Sequence, residues 1–145
     1  MTTFNILLAF HVLGVVWWIG GVAMVTATLL PIFNRLPAAE RIERIKQLEG
    51  RFANQARVAV LVVGITGFWM YALLPGEVTH TWWIGLMMLV WVLFTMMLFV
   101  AEPLHLPAKL GLIHSPRKFL VVHAVLLGLA LAAVFCGVIG SRGGF

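Results

Sequence analysis

Four apolar runs, each close to the length of one bilayer crossing, constrain this chain more than any other feature. They cover about residues 4–30, 56–74, 82–101 and 119–140. A helix needs roughly 20 apolar residues to cross the hydrocarbon core, and each run supplies that. Inside lipid every backbone N–H and C=O must be bonded within the segment, so the runs are expected to be helices. Charge agrees, since only 10% of the residues are charged, whereas soluble domains stand near a quarter. The expected fold is therefore all-α: one domain over residues 1–145, an integral membrane bundle of four transmembrane helices. No basic segment or small-residue cleavage site precedes the first run, so it is expected to be retained as a helix and not removed as a signal peptide.

The basic residues give the orientation. Arg35, Arg41, Arg44, Lys46, Arg51 and Arg57 lie between the first two runs, and Lys109, Arg117 and Lys118 between the last two. Residues 75–81, between the second and third, carry none. Positive loops stay in the cytoplasm, so both termini are expected on the outer side; the expected location is a bacterial inner membrane, with both termini periplasmic. The net charge of +5 thus reports topology and not nucleic-acid binding. Between residues 37 and 57, Ile42, Ile45, Leu48 and Phe52 recur at helical spacing among charges. That pattern predicts an amphipathic cytoplasmic connector helix on the membrane surface, running into the second span with Gly50 as a bend. Glu40 and Arg44 form an i,i+4 pair of the favourable order. Pro31, Pro75 and Pro103 are expected to close the first three spans.

A histidine inside a span is costly and marks a functional site by default. His11 is such a residue. His11, Gly14, Trp18, Gly21, Val25 and Thr28 fall on one helical face. Gly14 and Gly21 leave that face open to another helix or to a flat ligand. The bland alternative is a histidine bonded to a neighbouring helix for packing alone. The other polar candidates are His80 at the outer mouth of the third span, and Glu102, His105, His114 and His123 at the inner side. His11 and His123 should differ in depth by about 10 Å or more at 1.5 Å per residue. One haem between them then requires a strong tilt; otherwise there are two sites.

Haem b is the expected cofactor, because haem iron takes histidine or methionine ligands and helical bundles hold such groups between inward-facing side chains. His11 and His123 are the leading ligands, His80 and His105 the further metal candidates, and Arg51 and Arg57 candidates for the propionates. Copper is the alternative, since Cu(I) favours thioether and thiolate ligands and the chain has seven methionines and one cysteine, Cys136. Met-x-x-Met and Cys-x-x-Cys patterns are absent. The methionines, Met87 and Met88 among them, read more readily as packing. Glu102-Pro103-Leu104-His105-Leu106-Pro107 reads either as a helix stop or as a place for metal or proton handling. In the fourth span Ala124, Gly128, Ala132, Cys136 and Gly140 form an i+4 row of small residues, a seam for a neighbouring span or a second copy. No phosphate loop, dinucleotide fingerprint or nucleophile arrangement occurs, so any enzymatic activity would come from a cofactor. Electron transfer as a homo-oligomer or as a subunit of a membrane redox complex is the expected function; copper transport or resistance and a purely structural subunit are the alternatives.

His11-x-x-Gly14-x-x-Trp17-Trp18-Ile19-Gly20-Gly21, followed by Arg51-Phe52-x-x-x-Ala56 and Thr66-Gly67, resembles the copper-resistance protein D family. The first element also resembles the small J-type membrane protoporphyrinogen oxidases, four-helix proteins associated with haem b. The resemblance covers the first two spans and implies a four-helix fold and a role for His11. The lysine of the third span and the acidic residue of the fourth that are usual in the copper family are replaced here by Met87–Met88 and His123. The Leu-Pro-Arg-Leu continuation of the J-type oxidases is also missing; Leu30-Pro31 comes later, without the arginine.

Overall fold

The computed structural model describes residues 2–143. Its four long helices are α1 (Thr2–Phe33), α2 (Ala38–Leu73), α3 (Trp82–Ala101) and α4 (Pro116–Gly140), each long and apolar enough to cross a membrane. Single helical turns at Gly76–Thr79 and Leu106–Lys109 lie in the connections, and the described residues contain no strand. The lipid-ready character is on the outside: Leu13, Val16, Ile65, Leu89 and Phe135 are all exposed. A soluble fold would leave such side chains in water at a cost of roughly 2 kcal/mol each. The chain is built as a multi-pass membrane protein.

Pro31 does not end α1. The helix continues to Phe33 because a π-helical turn, Val25–Leu29, precedes the proline, with the Leu30 N–H bonded to the Val25 carbonyl. A proline ring collides with the carbonyl four residues back, and one wide turn moves that carbonyl aside. α3 repeats the device: Met97–Ala101 is π-helical, and Pro103 follows.

α2 corrects two expectations. It runs unbroken through Gly50, since one glycine inside a helix costs only about 1 kcal/mol and the side chains around it are held by packing. At 36 residues it is roughly 54 Å long, well beyond a hydrocarbon core of about 30 Å. Its charged first half therefore extends past the apolar stretch. The apolar face of that half is not laid on lipid either. Ile45, only 1% exposed, packs with Val25, Leu30, Ile113 and Phe119, and Ile42, Leu48 and Phe52 lie against the same cluster. The exposed Glu40–Arg44 pair forms as expected, at 3.6 Å.

The main core draws on all four helices: Trp18, Ile19 and Val22 from α1, Ala59, Val60 and Val63 from α2, Val90 and Phe94 from α3, and Leu126, Ala130 and Ala133 from α4. Glycines set the close approaches. A Cβ on Gly64 would meet the Trp91 ring at 2.6 Å, and Trp91 Nε1 donates to the Val60 carbonyl at 2.9 Å. Gly137 and Gly140 lie in the same way under Met87 and Trp83. The small-residue row of α4 is thereby divided. Gly140 packs on α3, whereas Ala124, Gly128 and Ala132 face outward.

Candidate functional site

Polar groups inside the helices gather at two levels. One is near the terminal end, where α1 begins and α2 ends; the other is near the loop end, where α1 turns into α2 and α3 into α4.

His11 holds the first level. Its Nδ1 is 3.0 Å from the Val63 carbonyl and 3.1 Å from Thr66 Oγ1. The Thr66 hydroxyl hydrogen points elsewhere, to the Val62 carbonyl at 2.6 Å. Both neighbours of Nδ1 are therefore acceptors, so Nδ1 carries the proton and Nε2 keeps its lone pair. Gly67 makes the approach possible, for a Cβ there would meet His11 Cε1 at 3.0 Å. Hydrogen bonding of Nδ1–H to a carbonyl with Nε2 left bare is the way proteins present a histidine to a metal.

The glycines of this face are used differently from the flat-ligand expectation. A Cβ on Gly14 would meet Val63 at 2.9 Å, and one on Gly21 would meet Phe52 at 2.7 Å. The space that Gly14 and Gly21 leave is filled by α2. A macrocycle has no room between these two helices, and close packing of α1 on α2 is the use made of the glycines.

The second level is built around a backbone defect. In an α-helix the Leu98 carbonyl would receive the Glu102 N–H. The π turn sends that N–H to the Met97 carbonyl instead, at 2.9 Å. The next donor in line is residue 103, a proline, which has none. Arg57 of α2 fills the gap: its Nε donates to the Leu98 carbonyl at 3.1 Å. The same guanidinium pairs with the Glu102 carboxylate and donates to Asn54 Oδ1 at 2.8 Å. Two donor directions of one arginine thus tie α2 to the end of α3, and the third, to Asn54 of α2, holds the guanidinium in place. Arg57 is committed to this network and not free for a propionate, and Arg51 stands exposed on α2.

Beside the network lies a cavity of about 120 Å³, bordered by Trp18, Glu49, Phe94, Met97, Glu102 and His123. His123 Nδ1 is 3.0 Å from the Phe119 carbonyl, again the donor, so its Nε2 is bare as well. Its ring stacks obliquely on Phe119, with centroids 4.4 Å apart. Trp18 is 5% exposed, its indole N–H has no acceptor among the described residues, and its ring meets Phe94 edge-on at 4.6 Å. Val22 also borders this cavity. Trp18 and Val22 stand seven and eleven residues further along α1 than His11, so the cavity that His123 borders lies roughly 10–16 Å along that helix from His11 at 1.5 Å per residue.

The other candidates stand apart. His80 is exposed at the end of the turn Gly76–Thr79, at the terminal end. His105 is exposed at the loop end, where the chain reverses between two prolines with left-handed backbone, φ 52°. Among the described residues no three His, Cys, Asp or Glu side chains come together as a metal-binding group. Met87 lies over Gly137, in packing contact.

Two features escaped the sequence reading. The acceptor for Arg57 arises from a π turn that no residue type announces, although Pro103 marks its neighbourhood. Trp18 is buried on the face it shares with His11 and Trp17 is exposed, but that the Trp18 indole N–H meets no acceptor depends on the neighbouring helices. No protein-family model, curated protein or solved structure matches the chain.

Proposed function

We propose that this protein is a haem b-binding redox subunit of the bacterial inner membrane, a four-helix bundle with both termini in the periplasm, and that His11 is its ligand to iron. The fixed tautomer of His11 supports this most. An intramembrane imidazole whose Nδ1–H is held by Val63 and Thr66, with Nε2 uncommitted, has the donor state that an iron centre requires. The donor chemistry fits haem, and the interior does not. A cavity of about 120 Å³ is far below the roughly 300 Å³ at which small-molecule sites begin, and the glycines near His11 are already packed over. The core of the single chain has no room for a macrocycle, so His11, half-buried on α1, would hold haem only at the surface of the bundle, with a second copy or a partner subunit completing the site. Bound haem supplies one-electron transfer. The contribution of the chain is an imidazole of fixed orientation at one depth of the membrane, with Thr66 and the Val63 carbonyl as its positioning groups. The resemblance of the first span to haem-associated and copper-associated four-helix families points to the same residue.

An absorption spectrum of the detergent-purified protein, with its His11→Ala variant, tests the reading. Reduced b-type bands in the wild type, lost in the variant, are the expected result. Stoichiometric copper without haem would replace it with a copper-handling role. Wild-type protein that is folded and free of both would leave His11 as a packing residue of a structural subunit.

A further inference from the structure

Glu49, Glu102 and His123 are the ionisable side chains that border the loop-end cavity. Glu102 is paired with Arg57, and His123 is bonded to the Phe119 carbonyl. Glu49 has neither a hydrogen bond nor an ion pair among the described residues. α1 and the turn between α3 and α4 add no ionisable group to this wall. The nearby cations Lys46 and Arg51 on α2, and Arg117 and Lys118 at the start of α4, stand exposed. Two carboxyl groups thus border one mostly apolar hollow, beside a single arginine that is committed to one of them. A second negative charge in such a place is disfavoured by burial and by the first. Glu49 lies in the charged half of α2, ahead of the apolar stretch. Burial, and then the neighbouring Glu102 carboxylate, raise its pKa from the usual 4.5 to about 7.

The charge of Glu49 matters because of what Arg57 holds. Its Nε serves the Leu98 carbonyl, which the π turn and Pro103 leave without a backbone donor, and its pairing with Glu102 keeps the guanidinium there. An ionised Glu49 repels the Glu102 carboxylate and competes with it for Arg57. We propose that Glu49 is a proton-operated latch on the loop end: with its proton it leaves Arg57 to Glu102 and the Leu98 carbonyl, and without it the joint between α2 and the end of α3 loosens. The closed joint holds the proton more tightly than the opened, hydrated one. Opening therefore becomes easier as pH rises from about 4.5 to about 7, and levels off above that. The proton leaves to water, and Glu49 is only half-buried. The latch is independent of any metal at His11.

Two measurements on the full chain in nanodiscs, with Glu49→Gln as the variant that cannot ionise, test the proposal. The first is amide hydrogen exchange of residues 97–104, read as the rate in the wild type over that in Glu49→Gln. Taking the ratio at one pH cancels the intrinsic pH dependence of exchange. The ratio should be at least about tenfold greater at about pH 8 than at about pH 5, since each unit of raised pKa is a factor of ten in the opening equilibrium and partial exposure screens some of it. The second is infrared absorption of protonated carboxyl groups. A band present at about pH 6 and lost by about pH 8 is expected in the wild type and not in Glu49→Gln. An exchange ratio that is the same at both pH values overturns the latch. A carboxyl band that titrates identically in the two proteins also overturns it, because the proton then sits on another group.

Discussion

The terminal end and the loop end each present a histidine with Nδ1 tied to a carbonyl and Nε2 bare, yet their surroundings differ in kind. His11 reaches across to a second helix and is held by Val63 and Thr66. His123 bonds back to its own helix, four residues earlier, and leaves the joining of helices to Arg57. At the terminal end glycines bring backbones together and the spaces are filled. At the loop end two π turns, each followed by a proline, loosen the helices and a cavity remains. The same imidazole chemistry therefore serves a docked, rigid position in one region and the wall of a hollow in the other. Local hydrogen bonding prepares a ligand; packing decides whether there is space for one.

Breaking the loop-end network should produce the largest change in stability. Arg57→Met leaves the Glu102 carboxylate without its partner and the Leu98 carbonyl without a donor. With both side chains partly exposed, at 26% and 35%, solvent takes up part of the cost, and a loss of about 2 kcal/mol is expected. Unfolding of the detergent-solubilised variant by a graded denaturant measures it, and a wild-type midpoint would show that the network holds nothing together. Thr66→Val at the other end should cost less, about 1 kcal/mol. Thr66→Ser, which keeps the acceptor for His11, should restore the wild-type midpoint. A smaller effect of opposite sign is expected at His105, where a left-handed backbone strains any residue with a Cβ. His105→Gly should gain up to about 1 kcal/mol with cofactor content unchanged, and cofactor loss there would put His105 back among the ligands. Least of all in stability should be Gly128→Leu, because a Cβ at that position would meet nothing within 4 Å. Its effect should appear in assembly instead. If the outward row Ala124, Gly128 and Ala132 joins two copies, the variant runs as a monomer where the wild type runs as a dimer; an unchanged oligomer removes the seam from the interface.

Spans and loops were legible because lipid imposes a simple rule on composition. The third helix ends where the sequence places it, at 82 and 101, bounded by Thr81 before the tryptophans and Glu102-Pro103 after the last apolar residue. The first helix overran its expected end because a π turn accommodates Pro31, and a pattern of residue types does not encode that exchange of carbonyl partners. The connector pattern of Ile42, Ile45, Leu48 and Phe52 identified a buried face correctly in register and missed what covers it. Periodicity shows that a face is hidden; whether lipid or protein hides it depends on chain far away, here Leu30, Ile113 and Phe119. The fate of Gly14 and Gly21 was not legible, since an absent side chain suits a neighbouring helix and a flat ligand equally well.

The central claim is that His11 and His123 serve separate centres. Haem content per chain, measured side by side in folded His11→Ala and His123→Ala proteins purified from haem-replete membranes, tests it most directly. The expected result is loss of haem from His11→Ala and wild-type content in His123→Ala. Complete loss from both variants would mean that one haem spans the two levels, and would contradict the account.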